Sequence, residues 1–367
     1  MRVILAANTS WYLYNFRQDL IRRLIAEGYT VLAVAPRDSQ SVHLEELGAI
    51  FHHVSIDNRG VNPLRDFLTF CQYLALARRF RPAVWLTFTI KPVIYGAVAV
   101  FLSGAKSIST ITGLGTSFMH RSQIQSVVES LYRHSQRFAA KVVFQNDEDR
   151  AYFLRKNLVV EEKALVVHGS GINTEAFAYS APPINESFRF LMIARLLWDK
   201  GIKEFIEAAE ELRKTDRKFT FQLAGRLEGE SREAVSDSEL NRWVESGIVQ
   251  YLGEASDIRP IIRGADCVVL PSYREGLPRS LLEASSMGRP IIAADVPGSR
   301  SVVLNACTGL LCEAKSSMSL VSCMRKISEM SYEDRKRMGI AGRRFVEERF
   351  REDTVNTIYL KTIDSES

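Results

Sequence analysis

Glu275 and Glu283 stand eight residues apart in the segment LPSYREGLPRSLLEASSMGRPIIAAD, residues 270–295. The run CVVLPS predicts a buried strand, and RSLLEASSMG predicts a helix that ends at Gly288. Glu275 therefore lies in the loop between them, and Glu283 lies about two turns into the helix. A carboxylate accepts hydrogen bonds from hydroxyl groups. A helix cap and a solvated helix residue would show the same spacing, so the spacing alone is weak evidence.

The start of the same helix predicts an anion site between the two carboxylates. Pro278 fits the first helical turn, where its missing N–H costs little. The N–H groups of Gly276, Leu277 and the residues that follow point out of the helix start, which favours an anion and phosphate in particular. Hydroxyl groups on both sides of a diphosphate are the layout of a sugar nucleotide.

Two cations earlier in the second half could neutralise that diphosphate. Arg195 ends a predicted strand and Lys200 opens the next helix. Cations beside a helix start stabilise the charge that grows on a diphosphate as its sugar leaves. The alternative is an arginine and a lysine that lie solvated near a turn.

Alternating strands and helices must position these residues. Apolar runs without polar alternation predict strands that are buried on both faces of parallel sheets. They are RVILAA, TVLAVAP, IFHHVSI, AVWLTF, SISTIT, KVVFQ and ALVVHG in the first half, and FRFLMIARL, FTFQLAG, GIVQYLG, CVVLPS, PIIAAD and TGLLC in the second. The Pro-, Ser- and Asn-rich segment 174–187 predicts a linker.

This pattern predicts an α/β protein of two doubly wound Rossmann-like domains with an interdomain cleft. We place the domains at residues 1–178 and 179–349, with a last helix at about 350–367 that packs back on the first domain. A ligand in such a sheet binds outside the carboxyl ends of the strands. We therefore expect the active site in the cleft.

Composition narrows the class of protein. Residues 1–170 carry 20 Lys and Arg against 13 Asp and Glu, within a chain of net charge +5. This imbalance suits an anionic membrane surface, although proteins without such a partner often show it too. The longest apolar stretch, residues 92–104, is too short to span a bilayer, and the N-terminus lacks a signal-peptide pattern. Five cysteines without metal-ligand spacing predict buried thiols in a reducing compartment.

Several segments carry a resemblance to a known family. REGLPRSLLEA followed by GRPIIAADVPG resembles the EX7E signature of retaining glycosyltransferases of the GT-B fold, family 4. ARLLWDKGIKEFIEAAEEL is similar to the first strand and helix of that family's C-terminal domain, and FQLAG and IVQYLGEASDIRPIIRGADCVVLPS also match. NTSWYLYNFRQDLIRRLIAEGYTV, DNRGVNPLRD, STITGLGTSF, VVFQNDEDRAYF and VVHGSGINTEAF look like a branch that builds bacterial surface polysaccharides such as O-antigen. The resemblance covers nearly the whole chain.

The resemblance implies donor-side roles. Arg195 and Lys200 would neutralise the diphosphate, Glu275 would contact the transferred sugar, and Glu283 would bind the ribose hydroxyls. Further donor-binding positions would shape the loop, leave room for the nucleotide or border the base: Gly276, Leu277, Pro278, Gly225, Leu252 and Gly253. No metal or other cofactor is expected, because the two cations neutralise the diphosphate.

The acceptor side departs from the family pattern. Many members have a histidine near the reacting sugar, but the turn containing Gly113 and Gly115 has none beside it. His120 is the candidate, with a surface or core histidine as the alternative. Many members also have a Gly-rich turn after the first strand, where this chain reads ANTSWYLYN, so Asn8 is a candidate for binding the acceptor.

Three further signals concern partners. Arg59, in the loop before Asn62 and a helix, has the chemistry to hold an acceptor diphosphate. Residues 120–141 predict an amphipathic helix that could lie on anionic lipid, with a core-packed helix as the alternative. Asp147–Asp149 has the spacing of a metal-binding DxD motif, but acidic residues at a helix start explain it better.

These observations predict a cytoplasmic enzyme that is peripheral to the inner face of the plasma membrane. It would transfer a hexose or N-acetylhexosamine from a nucleotide sugar, in particular a UDP-sugar, to a polyprenyl-diphosphate-linked saccharide. No nucleic-acid partner is expected. The alternatives are a sugar-nucleotide epimerase of the same architecture and a non-catalytic subunit that binds nucleotide sugars.

Overall fold

The computed structural model describes residues 1–57, 62–114, 123–214, 218–229 and 233–366. The chain forms two compact units, one made of Met1–Gly171 with Glu352–Ser367 and the other of Ile172–Arg351. The sequence placed this boundary at residue 178, within the predicted linker. In the structure the linker packs on the second unit, because Arg343 Nη1 donates to the Phe177 carbonyl at 2.7 Å.

The first unit is built on a parallel sheet in the order β3-β2-β1-β4-β5-β6-β7. Its strands are β1 Arg2–Ala6, β2 Thr30–Ala35, β3 Ile50–His53, β4 Val84–Phe88, β5 Lys106–Ile111, β6 Lys141–Phe144 and β7 Ala164–Val166. The helices that follow them are α1 Ser10–Ala26, α2 Ser41–Glu46, α3 Pro63–Phe80, α4 Ile90–Phe101, α5 Gln123–Ser135 and α6 Asp147–Arg155. The β4 run VWLTF is buried along its whole length, as expected for a strand with helices on both faces of its sheet.

The second unit repeats the plan with a parallel sheet in the order β10-β9-β8-β11-β12-β13. Its strands are β8 Phe188–Ile193, β9 Phe219–Ala224, β10 Gln250–Gly253, β11 Cys267–Leu270, β12 Ile291–Ala294 and β13 Gly309–Cys312. Its helices are α7 Ile202–Leu212, α8 Asp237–Glu245, α9 Arg259–Gly264, α10 Arg279–Ser286, α11 Ser299–Val302, α12 Ser317–Glu329 and α13 Tyr332–Arg349.

The last helix, α14 Glu352–Ser365, belongs to the first unit. Tyr359 of this helix is buried, its ring lies 6.2 Å from that of Phe88, and its hydroxyl lies 3.0 Å from Thr110 Oγ1. The end of the chain therefore completes the core beside β4 and β5.

The predicted fold class is confirmed in both units. Every run that the sequence marked as a strand contains a strand in the described part of the chain. The acidic residues at 147–149 open α6, where Asn146 Oδ1 accepts from the Asp149 N–H at 2.8 Å. The prediction for the cysteines was wrong in part, because Cys71 and Cys307 are exposed while Cys267 and Cys312 are buried.

Candidate functional site

The candidate donor site lies at the carboxyl edge of the second sheet. The strand order changes direction at β8, which has β9 on one side and β11 on the other. All of these strands are parallel, so the loops that follow them meet at one edge. A switch point of this kind is where ligands bind in open α/β sheets. Arg195 follows β8, and Glu275 follows β11.

Lys200 and Glu275 form the central contact of this edge. Lys200 ends a short 3₁₀ turn, Trp198–Lys200, and its Nζ donates to Glu275 Oε1 at 2.7 Å. The two side chains are only 14% and 15% exposed. Little water reaches the pair, so the attraction is stronger than in a surface ion pair.

Backbone contacts fix the two loops that carry this pair. The Asp199 carbonyl accepts from the Tyr273 N–H at 2.8 Å and from Ser272 Oγ at 3.1 Å. Gly201 follows Lys200 with φ of 77°, and a Cβ there would lie 2.2 Å from the Pro271 carbonyl oxygen. Only glycine fits such a close approach at this backbone angle, so Gly201 allows the turn to pack against the strand end.

A second set of contacts joins the loop that carries Glu275 to helix α7. Tyr273 Oη donates to buried Glu204, with its oxygen 2.8 and 3.0 Å from the two carboxylate oxygens. Burial and the Glu204 carboxylate raise the pKa of the Tyr273 hydroxyl, so it stays protonated and remains a donor. The sequence interpretation missed both residues. A glutamate among the buried apolar positions of α7 is unusual and could have identified Glu204 as a residue with a buried partner.

Gly298, which the sequence interpretation also missed, closes against the same loop. A Cβ at Gly298 would lie 2.5 Å from the Gly276 carbonyl oxygen and 2.6 Å from that of Glu275. Its φ is 79°, in the left-handed region that favours glycine. Gly298 lies in the loop after β12, which is the neighbour of β11. A glycine in a loop that follows a neighbouring strand could have been recognised as a candidate for contact with the Glu275 loop.

Arg195 pairs with a different carboxylate. Its Nη1 lies 3.7 Å from Oε1 of Glu228, and Arg226 Nη2 lies 3.2 Å from the same oxygen. The Glu228 side chain is 5% exposed, whereas the arginines are 55% and 53% exposed. The Arg195 guanidinium is thus held at the edge while much of it faces solvent.

Glu283 lies in α10 beside Arg279. Arg279 Nε donates to Glu283 Oε1 at 3.0 Å, and the glutamate side chain is 13% exposed. Burial raises the pKa of the Glu283 carboxyl above its usual value, and the Arg279 guanidinium opposes that rise.

The helix predicted for RSLLEASSMG is confirmed as α10, but Pro278 lies just before its first turn and not within it. Pro278 has extended ψ of 108° and is the N-cap, and its carbonyl accepts from the Leu281 N–H at 3.2 Å. Glu283 is therefore little more than one turn into α10, not two. Gly276 and Pro278 are buried, and Leu277 packs against the core of the unit.

The loops after β9 and β10 also meet. The Gly225 N–H donates to the Gly253 carbonyl at 2.9 Å, and a Cβ at Gly225 would lie 1.8 Å from the Ala194 carbonyl oxygen. Leu252 is 37% exposed beside them. Gly225 thus lets three strand ends approach each other.

The chain matches known protein families over most of its length. Residues 174–345 match the family model described as glycosyl transferases group 1, and residues 15–169 match the model described as glycosyl transferase 4-like domain. Together the two models cover most of the chain, which belongs to the GT-B glycosyltransferases that they describe. This finding favours the predicted transferase over the epimerase and the non-catalytic subunit.

Individual relatives agree with the family match. The glycosyltransferase is 28% identical to N,N'-diacetylbacillosaminyl-diphospho-undecaprenol alpha-1,3-N-acetylgalactosaminyltransferase of Campylobacter jejuni, over 93% of this chain and 92% of that protein. It is 24% identical to UDP-Gal:alpha-D-GlcNAc-diphosphoundecaprenol alpha-1,3-galactosyltransferase of Escherichia coli, over 74% and 73% of the two chains.

The fold matches solved structures as well. Anabaena HepE in complex with UDP and glucose superposes with a TM-score of 0.83 over all of both chains, at 18% identity. A glycosyltransferase from Rickettsia africae superposes with a TM-score of 0.79 over 100% of this chain and 98% of that one, also at 18% identity. The two-domain GT-B fold class is therefore confirmed.

The predicted acceptor-side residues of the glycosyltransferase lie in the first unit or outside the described residues. The Asn8 N–H donates to Thr89 Oγ1 at 3.1 Å after β1, and Gly113 follows β5 with φ of 120°. The Asn62 side chain caps α3 by accepting from the Leu64 N–H at 3.0 Å. Arg59, Gly115 and His120 lie outside the described residues.

Two features of the described ranges concern metals and membranes. These ranges contain no group of three or more His, Cys, Asp or Glu side chains that could hold a metal ion. None of their helices combines the length and the apolar character that crossing a membrane requires.

Proposed function

We propose that this glycosyltransferase moves a hexose or N-acetylhexosamine from a UDP-sugar to a saccharide linked to polyprenyl diphosphate, with retention of anomeric configuration. The observation that carries the proposal is the Lys200–Glu275 pair at the switch point, just before the start of α10. The names of the Campylobacter and Escherichia relatives, which include undecaprenol diphosphate, support the acceptor class. The complex of HepE with UDP and glucose supports the donor class.

The cationic and the anionic residues of the donor site would bind different parts of the donor. Arg195 and Lys200 bind the diphosphate, and Glu275 and Glu283 accept hydrogen bonds from the sugar and ribose hydroxyls. Lys200 Nζ donates to Glu275 Oε1, and this contact positions the ammonium group for the donor diphosphate. Six further residues would shape the loop around the sugar and phosphates, leave room for the nucleotide or border the base: Gly276, Leu277, Pro278, Gly225, Leu252 and Gly253.

For the transfer step we propose attack on the face of the sugar from which the phosphate leaves. The bond between C1 of the sugar and the phosphate oxygen breaks, and the acceptor hydroxyl oxygen bonds to C1 on the same face. The hydroxyl proton passes to an oxygen of the leaving phosphate. The two cations stabilise the charge that develops on that phosphate, which lowers the barrier. Glu275 orients the sugar and does not attack it.

Acceptor-side roles remain part of the proposal. Asn8 and Gly113 follow β1 and β5 at the carboxyl edge of the first sheet, where a ligand would bind, and Asn62 caps α3. Arg59 and His120 are proposed for the acceptor diphosphate and the reacting sugar, respectively, on their sequence positions alone. We further propose that the enzyme works in the cytoplasm at the inner face of the plasma membrane.

Reconstitution tests the reaction. The purified chain would be incubated with UDP-Glc, UDP-Gal, UDP-GlcNAc and UDP-GalNAc, each with and without an undecaprenyl-diphosphate-linked saccharide. We expect one sugar to be added only when the acceptor is present, with the product's anomeric configuration matching the donor's by NMR. A UDP-sugar converted without acceptor would identify an epimerase, and binding without turnover would identify a non-catalytic subunit.

We also propose that transfer needs no metal, because Arg195 and Lys200 supply the positive charge at the diphosphate. The initial rate with the cognate donor should be unchanged by EDTA. An activity that EDTA abolishes and magnesium restores would contradict this part of the proposal.

A further inference from the structure

Helix α3 is apolar on its inner and its outer face. Its inner face packs in the first unit, where Tyr73, Leu76 and Ala77 are buried. Its outer face exposes Leu64, Phe67 and Leu68 by 77%, 61% and 59%. A soluble helix of this kind normally exposes polar residues on its outer face.

The exposed apolar residues form one stripe along the helix. Leu64, Phe67, Leu68, Cys71 and Ala75 are all exposed and recur at three- and four-residue spacing. Residues at this spacing share one helix face. We name this set the α3 stripe.

The exposed charged residues of α3 itself are all positive. Asp66 is the one acidic residue of α3, and it is buried against Lys91 Nζ at 2.5 Å and the Tyr95 hydroxyl at 2.8 Å. The exposed surface of α3 therefore presents no carboxylate.

Three arginines follow the stripe at the end of the helix. Arg78 and Arg79 continue its face one turn beyond Ala75, and Arg81 caps the helix. Within the described ranges no carboxylate forms an ion pair with any of the three, unlike Arg65, whose Nη1 lies 3.2 Å from Asp57. Their charge remains available to an external anion.

We propose that the α3 stripe is a docking surface for an anionic lipid bilayer, with its apolar side chains at the acyl boundary and Arg78, Arg79 and Arg81 on lipid phosphates. A helix that lies in the membrane interface has this division between apolar and basic residues. Arginine binds phosphate oxygens through paired N–H donors. This inference rests on the proposed function. An enzyme whose acceptor is linked to a lipid meets that acceptor at the bilayer surface.

A lipid surface fits better than a second copy of the chain. The arginines that follow the α3 stripe have no carboxylate beside them on the exposed surface of α3. Two α3 stripes packed together would therefore bring no negative charge to these arginines. A phosphate-rich surface supplies that charge along the helix, which at 18 residues is about 27 Å long. The α3 stripe also differs from the segment that the sequence analysis considered for anionic lipid, residues 120–141, for which a core-packed helix was the alternative.

Vesicle sedimentation tests the docking surface without using activity. The full chain would be mixed with vesicles of phosphatidylcholine alone and of phosphatidylcholine with phosphatidylglycerol. We expect binding to the anionic vesicles, and a decrease of about tenfold or more for Phe67→Ser/Leu68→Ser. Arg78→Gln/Arg79→Gln should weaken binding to anionic vesicles in a salt-dependent manner.

Matched variants separate this surface from apolar exposure in general. Ile184→Ser/Met318→Ser removes two side chains that are 92% and 66% exposed in the second unit, and it should bind vesicles like the wild type. Val127→Ser/Leu131→Ser changes two exposed residues of α5. Loss of binding in the α5 variant with retention in the α3 variant would overturn the proposal.

The exposed cysteines give a direct readout. An environment-sensitive fluorophore on Cys71 in the Cys307→Ser chain should shift to the blue when anionic vesicles are added. The same fluorophore on Cys307 in the Cys71→Ser chain should not. An unchanged Cys71 signal, or a dimer that Phe67→Ser/Leu68→Ser converts to a monomer with unchanged vesicle binding, would refute the lipid surface.

Activity on a water-soluble acceptor distinguishes the two proposals. The α3 variants should transfer sugar to a short-chain acceptor at the wild-type rate and lose rate only with acceptor in vesicles. If the wild type binds vesicles but transfers to no acceptor, the proposed function fails while the docking surface stands.

Discussion

Lys200 Nζ lies 2.7 Å from Oε1 of Glu275, although 75 residues separate them in the chain. Lys200 follows β8 and Glu275 follows β11, so the bond joins the two loops at the switch point of the second sheet. A buried ion pair of this kind is weak evidence for stability, because desolvation opposes the attraction. Its position at the ligand-binding edge suggests that it holds both groups ready for the donor.

Removing one member of the pair should reduce both stability and activity. Lys200→Met or Glu275→Gln leaves a largely buried group without its partner, and we expect a loss of up to about 3 kcal/mol in the free energy of unfolding. Each variant should also lower kcat/KM by about 100-fold or more, because a group that acts on the donor is gone. Urea unfolding followed by circular dichroism and initial rates measure the two effects.

The double variant distinguishes a functional pair from a structural one. Lys200→Met/Glu275→Gln removes both partners, so its stability should return toward that of the wild type while its activity stays low. Recovery of activity along with stability would show that the pair serves the fold alone. Lys203→Met/Glu207→Gln, an exposed pair at 3.8 Å on α7, is the control and should change neither quantity.

Arg195 and Arg226 offer a matched comparison at one carboxylate. Both pair with Glu228 and both are about half exposed, so Arg195→Ala and Arg226→Ala should each change the free energy of unfolding by less than about 1 kcal/mol. Only Arg195→Ala should lower kcat/KM strongly, by about 100-fold, since the proposal places it on the donor diphosphate. Equal kinetic losses in the two variants would argue against a specific role for Arg195.

The sequence predicted the central strands well because they are buried on both faces. A run such as VWLTF or CVVL has no alternation to confuse with an amphipathic helix, and the helices between the runs show clear periodicity. Whether a proline lies within the first turn of a helix or just before it is harder to predict. Pro278 fits either the first turn or the residue before it, and the backbone angle that decides between them depends on the surrounding loop.

The contacts within the site depend on which strands are neighbours. The order β8-β11-β12 brings Glu275 near Lys200 and Gly298, but the linear sequence does not state that order. Family resemblance supplied Arg195, Lys200 and Glu275 but not the contacts that they make. Tyr273 and Glu204 form a hydrogen bond across 69 residues. Glu204 lies in a segment that carries the resemblance, but the resemblance assigned no role to either residue.

Glu283 should make stability depend on pH. Its pKa is raised in the folded chain, so the folded state binds a proton more tightly than the unfolded state does. Stability contributed by this group therefore falls as pH rises from about 4.5 through the raised value. Glu283→Gln cannot ionise, so its stability relative to the wild type should increase over that range in urea unfolding at a series of pH values.

The same variant should weaken donor binding. An amide accepts a hydrogen bond from the ribose less strongly than a carboxylate does, and we expect the donor KM to rise about tenfold. Glu347→Gln removes a comparable Arg–Glu pair in α13, where Arg343 Nε lies 2.6 Å from Glu347 Oε1, and should leave the donor KM unchanged. A relative stability that does not vary with pH, or an unchanged KM, would contradict the interpretation of Glu283.

Gly298 should control the Glu275 loop through backbone contact alone. Gly298→Ala places a methyl group within 2.6 Å of the Glu275 and Gly276 carbonyl oxygens, so the loop has to move. Gly247→Ala is the control: its φ of 70° is also positive, but its nearest neighbour is the end of the Arg213 side chain at 3.9 Å. The control should lose about 1 kcal/mol from backbone strain, while Gly298→Ala should lose at least about 2 kcal/mol and also lower kcat/KM. Urea unfolding and initial rates of both variants check this, and equal losses would mean that the loop tolerates displacement at Gly298.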